Sequence, residues 1–143
     1  FQTGLPYLDS DENVINRGEL GVQGSRPAEI IKLWLGMKFI GISGIKKVLK
    51  DSINKKIYLE NNLDNSKFTI YSGPLHIISF VPKKLNSHET DIWTRNAHKV
   101  LINNNFMLSR PFYQNKYFLR SVLGNYNTQE SDLLKLSNLL NEI

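Results

Sequence analysis

An α+β fold, in which helices precede a small antiparallel sheet of about four strands that is itself covered by helices, is what this sequence predicts. Three observations carry it. Residues 27–57 hold two successive stretches of helical periodicity, two pairs of β-branched and aromatic runs follow, and helical stretches separate those pairs and close the chain. Strands that arrive in pairs with helices between them build one antiparallel sheet, one face under the helices and the other available to pack on something else.

Taken in order, residues 1–26 lack sustained periodicity and contain Gly4, Pro6, Gly18 and Gly21, so they read as an extended or looped leading segment. From residue 27 to residue 40 the apolar residues Ile30, Ile31, Leu33, Trp34, Leu35, Met37, Phe39 and Ile40 occupy nearly every side of a helix, which predicts burial all round. Gly36 inside it costs about 1 kcal/mol against alanine, a cost tolerated where another backbone comes close. GISG at 41–44 breaks the helix and Ser43 suits the cap of the next, whose Ile45, Val48, Leu49, Ile53 and Ile57 recur at three- and four-residue steps. Lys46, Lys47, Lys50, Asn54 and Lys55 fall on its other side as a solvated face. Residues 27–63 are thus two linking helices, one buried and one amphipathic, and residues 64–143 form a small α+β domain.

Within that domain KFTIYS and LHIISFV flank Gly73-Pro74 and read as two strands joined by a tight turn. HETDIWTRNAHKVLI returns to helical spacing through Ile92, Trp93, Ala97, Val100 and Leu101. FMLSR and YFLRSVL, separated by PFYQNK, read as a second strand pair, with Arg110 and Lys116 solvated near the intervening loop. Thr128 suits the cap of a last helix carrying Leu133, Leu134, Leu136, Leu139, Leu140 and Ile143.

A chain of 143 residues is one domain by length and buries roughly two-thirds of the surface its unfolded form exposes, so a packed core needs no staples. With 41% hydrophobic and 22% charged residues the composition is globular. The net charge of +5 is spread without a dense basic block, which argues against nucleic acid as a partner. There are no cysteines, excluding disulfides, thiolate metal sites and cysteine nucleophiles and fitting a cytoplasmic location. No run approaches the roughly 20 apolar residues of a membrane span, and Phe1 is not followed by the basic and apolar regions of a signal peptide, so no membrane partner is expected.

A self-contained active site is hard to assemble. His76 falls in a predicted strand, His88 in a loop and His98 on a helix, with no metal-ligand spacing, so no metal is expected. Nucleophile elbows and glycine-rich phosphate loops are absent. Two positions stand out instead. At Gly24-Ser25-Arg26, free backbone N–H groups at a helix start, a hydroxyl and a guanidinium suit a phosphate; an ordinary cap, with Pro27 in the first turn and Arg26 in solvent, accounts for the same residues. Arg120 lies inside a run that otherwise reads as a buried strand, on the side of Phe118 and Val122 and opposite Leu119 and Ser121. It therefore lies on a solvated face, pairs with a carboxylate of the protein, or receives an anionic ligand.

GSRPAEIIKLWLGMKFIGISGIKKVL, with a Ser-Arg pair opening a helix, a K-x-W and a G-x-x-G break, resembles the corresponding segment of the group II pyridoxal-phosphate-dependent amino-acid decarboxylases. LRSVLGNYNTQESDLLKLSNLL resembles that family's C-terminal strand, Asn-x-x-Thr turn and final helix. The resemblance covers residues 20–143 with the elements in the family's order. It implies the C-terminal part of a longer homodimeric decarboxylase that uses pyridoxal 5'-phosphate (PLP) on an amino-acid substrate. No catalytic residue is then present, because the Schiff-base lysine would lie upstream of Phe1; His98-Lys99 is the only His-Lys pair but sits downstream of the Ser-Arg segment. By the same resemblance Gly24 and Ser25 approach the cofactor phosphate, Arg26 supports that loop, and Arg120 meets the substrate carboxylate. Glutamate-type relatives read Ser-Arg-Pro where many aromatic-amino-acid decarboxylases read Ser-Arg-Arg, so the substrate class stays open. A non-catalytic dimerisation or regulatory module with the same fold is the alternative from another class.

Overall fold

A computed structural model describes residues 28–143. The first helix, α1, runs Glu29–Asn62, and its two halves meet at Gly41, whose φ of 67° and ψ of 176° are not helical. Glycine is the residue that takes such a φ without a Cβ penalty, and this is where GISG was expected to break the helix. Gly44 has a reason of its own: a Cβ there would stand 2.9 Å from the Ile40 Cβ across the bend.

Two strands follow, β1 (Phe68–Ser72) and β2 (Ile77–Pro82), then the helix α2 (Ser87–Asn103). Asn86 caps α2: its side chain accepts from the Glu89 N–H at 2.9 Å, while the Glu89 carboxylate accepts from the Asn86 N–H at 2.9 Å. His88 is therefore in the first turn of α2 and not in a loop. A hairpin of β3 (Phe112–Tyr113) and β4 (Lys116–Tyr117) precedes β5 (Leu119–Val122) and the last helix, α3 (Glu130–Glu142). The N-cap of α3 is Gln129, one residue beyond the Thr128 expected, and its N–H donates to the Asp132 carboxylate at 2.9 Å.

The sheet is antiparallel with strand order β1-β2-β5. It has three strands where the sequence predicts about four: FMLSR joins it only through a bridge between Ser109 and Arg120, and the loop PFYQNK supplies the separate β3-β4 hairpin instead. That hairpin turns on Gln114 and Asn115, both in the left-handed region at φ 47° and 59°, as a two-residue turn matched to strand twist requires.

Register fixes what each face carries. Ile70, Phe80 and Leu119 pair in one row, with Ile78 and Ser121 in the next, and this face packs against the helices. Leu59 and Leu63 from α1, Ala97 and Leu101 from α2, and Leu133, Leu136 and Leu140 from α3 complete the core. Each fully buried leucine contributes about 1.5–3 kcal/mol relative to exposure. The Asn141 side chain locks α3 to the end of α1, accepting from the Asp64 N–H and donating to the Asn62 carbonyl, both at 2.9 Å.

Burial of α1 departs from expectation. Phe39 is 91% exposed and Ile30 70%, with Ile31, Leu33, Trp34, Leu35, Met37 and Ile40 also exposed. Nothing among the described residues comes within 4 Å of a Cβ built on Gly36, so no close backbone explains that glycine. In the second half the buried side chains are Ser52, Lys56 and Leu59, while Val48, Leu49 and Ile57 of the predicted apolar stripe are exposed. The body of the domain grips α1 by a polar-edged stripe: Lys56 Nζ donates to the Gly73 carbonyl at 2.9 Å, and Lys55 Nζ to the Asn125 carbonyl at 2.8 Å. Lys55 was expected on the solvated side. Hydrophobic periodicity reports which face is apolar, and here the apolar face is not the one that the described residues cover. Among the described residues no helix is long and apolar enough to cross a membrane.

Candidate functional site

The sheet face away from the core carries one row across all three strands: Tyr71 pairs with Ser79, and Ser79 with Arg120. The alternation expected from sequence holds, since Leu119 and Ser121 are buried while Arg120 is on the opposite side with Phe118. Arg120 is half-buried, and its Nε donates to the Ser109 hydroxyl at 2.9 Å. The Tyr71 and Phe118 rings meet edge to face at 5.6 Å between centroids.

These residues share a cavity of about 420 Å³ with Phe112 and Tyr113 of the hairpin. A guanidinium beside a hydroxyl, on a concave surface walled by aromatic rings, suits an anion borne on an apolar group: the fork of N–H donors matches a carboxylate, and the rings take the rest. Of the three settings the sequence left open for Arg120, a fully solvated face is the one its half-buried position does not match. A larger groove of about 840 Å³ lies between residues 104–108 and α3; its charged lining among the described residues is Asp132, Lys135 and Glu142, and Arg120 is not part of it.

Gly24, Ser25 and Arg26 lie outside the described residues, so the structure does not bring them to Arg120 or separate them from it. His98 and Lys99 are on α2, and neither lines the Arg120 cavity. Among the described residues no group of three His, Asp or Glu side chains is arranged to hold a metal ion.

Arg110 is the correction. Expected in solvent, it is 6% exposed. Its Nε donates to the Thr94 hydroxyl at 3.1 Å, its guanidinium pairs with the Asp91 carboxylate, and it lies 3.7 Å over the centre of the Tyr117 ring. Asp91 also holds Arg95 at 3.1 Å one helical turn on. Burial of a guanidinium is tolerated because a carboxylate, a hydroxyl and a ring face all meet it. The available signal was on α2: Thr90 and Thr94 stand on the same inner stripe as Ala97 and Leu101, and buried hydroxyls mark a polar partner to come. Tyr71 and Ser79 were also missed, because neither is unusual until strand register sets it beside Arg120.

No family model matches the chain. Solved structures do. The fold is similar to that of TDC from Oryza sativa solved with PLP and tryptamine, at a TM-score of 0.69 and 13% identity over 78% of this chain and 25% of that one. It is similar to 4-hydroxyphenylacetaldehyde synthase from Rhodiola rosea at 0.69 and 21% identity, over 82% and 26%. It is similar to tryptophan decarboxylase from Catharanthus roseus, solved with L-tryptophan, at 0.67 and 17% identity, over 78% and 24%. The chain spans about a quarter of the length of each. At these identities the likeness is one of fold, and it agrees with the α+β class read from the sequence: most of this chain shares its architecture with a portion of larger proteins that include a decarboxylase and a PLP-bound TDC.

Proposed function

We propose that this chain is the C-terminal part of a PLP-dependent amino-acid decarboxylase, acting as a homodimer, in which Arg120 receives the carboxylate of the substrate. The observation that carries the reading is the placement of Arg120: held by Ser109, in a row with Ser79 and Tyr71, and opening on an aromatic-walled cavity. The fold shared with part of a decarboxylase supports it.

The described residues fit the substrate end of such a site. Their donors suit a carboxylate, whereas Gly24, Ser25 and Arg26, which we assign to the cofactor phosphate from the sequence resemblance, lie outside them. When bound, PLP supplies the electron sink for the bond that breaks, and this chain supplies orientation and charge. Arg120 orients the carboxylate through charge-assisted hydrogen bonds, and Ser109 limits the swing of its guanidinium. The contact loosens as charge leaves the carboxylate; a grip equally strong throughout would lower KM without raising kcat.

The test is CO2 release by the polypeptide that contains this segment, supplied with PLP, across a panel of L-amino acids. Release from one of them, with Arg120→Met raising KM at least tenfold, is the expected result. Release from none would sink the reading. A non-catalytic dimerisation module is the second reading, favoured by the exposed apolar residues of α1. Both readings give a dimer in sedimentation, and only CO2 release separates them.

A further inference from the structure

Consecutive residues Ser109 and Arg110 serve opposite sides of the same segment. Ser109 holds Arg120 by its Nε at 2.9 Å, while Arg110 turns toward α2, where it meets Thr94 and Asp91 and covers the Tyr117 ring. Tyr117 belongs to β4, so this guanidinium holds the hairpin by that strand, while the chain from Arg110 runs through Pro111 into β3. The Phe112 and Tyr117 rings, 4.8 Å apart, tie the two strands to each other. Phe112 and Tyr113 are at the same time the hairpin's contribution to the Arg120 cavity. A hairpin with two residues per strand has little stability alone, so its position over the cavity is decided by what anchors it.

We propose that Arg110 is the positioning residue of the Arg120 site: by clamping the β3-β4 hairpin to α2 through Asp91, Thr94 and Tyr117, it fixes the aromatic wall against which the apolar part of a carboxylate ligand is held. This rests on the reading of Arg120 as the carboxylate-binding residue. Lysine does not replace it, since an ammonium neither forks across a carboxylate and a hydroxyl nor stacks on a ring.

The experiment is calorimetric titration of the PLP-loaded full-length protein, well below its melting temperature, with 3-phenylpropionate and its uncharged amide. The wild type binds the acid at least tenfold tighter than the amide, and Arg120→Met abolishes that preference. Arg110→Met and Arg110→Lys weaken both probes about fivefold while the preference for the acid persists, because the wall moves and the charge stays. A merely structural role lowers the melting temperature and leaves both affinities as in the wild type; that result in a folded Arg110→Met protein overturns the proposal. Should Arg110→Met fail to fold, Tyr117→Leu removes the stacked ring and keeps the ion pair, and unchanged affinities there overturn it equally. If the wild type binds neither probe, or if Arg120→Met keeps the preference, the reading of Arg120 falls and this inference with it. A normal Arg110→Met beside a defective Arg120→Met overturns this inference alone.

Discussion

Ser109 and Arg120 hold each other four times over. Their backbones exchange N–H to carbonyl bonds of 3.0 and 2.8 Å, Arg120 Nε donates to the Ser109 hydroxyl at 2.9 Å, and that hydroxyl lies 3.3 Å from the Arg120 carbonyl. The bridge is what remains of the fourth strand, and it sits where it steadies the site's guanidinium.

Ser109→Ala tests that pairing. It removes a hydrogen bond to a charged group that is only half-buried, so the cost is about 1.5 kcal/mol of stability, at the low end for charged partners. Because the guanidinium then swings more freely, KM for the amino-acid substrate rises about fivefold with kcat little changed. Denaturant unfolding and steady-state kinetics of the full-length protein check the two numbers.

The Asp91–Arg110 pair predicts an asymmetry. The Asp91 side chain is 27% exposed and keeps Arg95, whereas the Arg110 side chain is 5% exposed. Asp91→Ala takes the carboxylate from a buried guanidinium and costs about 2–3 kcal/mol, while Arg110→Met leaves a carboxylate that water and Arg95 still satisfy and costs about 1–2 kcal/mol. Equal losses in denaturant unfolding would contradict the assignment of Arg110 as the buried partner.

Gln114 is a long side chain held at φ 47° in the hairpin turn. Asparagine accepts the left-handed region more readily, so Gln114→Asn stabilises the protein by about 0.5 kcal/mol. Thermal unfolding reads this as a small rise in the midpoint, and a fall would mean that the Gln114 side chain matters more than its backbone.

Asp64 is the site of an acid-dependent contribution. The Ser66 hydroxyl and then the Ser66 N–H, donating to the Asp64 carboxylate at 2.6 and 2.8 Å, hold its pKa below the ordinary value near 3.8. A carboxylate depressed on folding adds stability that is present above its unfolded value and lost as the pH falls through the folded one. The stability difference between wild type and Asp64→Ala therefore holds steady near neutrality and shrinks below about pH 4. Titration of the Asp64 carboxyl by NMR gives a midpoint below 3.8.

The placement of helices and strands was legible because it depends on neighbours along the chain. The β-branched and aromatic run at 77–81, the helical spacing of Ile92, Trp93, Ala97, Val100 and Leu101 and the glycine at residue 41 each act over a few positions, and each element appears close to where they put it. The side of the sheet on which Arg120 lies was legible for the same reason, since strand alternation has a period of two. FMLSR was misread because only part of its apolar run packs: Leu108 is buried in the core, Met107 is 90% exposed, and the segment offers only Ser109 to β5.

Local chemistry along the chain thus settled the α+β class, the order of the elements, the break at Gly41 and the face that bears Arg120. The packing of distant segments decided the rest: that Arg110 is buried on Asp91 and Tyr117, that Ser79 and Tyr71 stand beside Arg120, and that the described residues grip α1 by Lys55, Lys56 and Leu59 and not by its most apolar face. These depend on which residues far apart in the chain meet, and a cation's partner or a helix's covered face is set by that meeting and leaves no periodic trace in the residues around it.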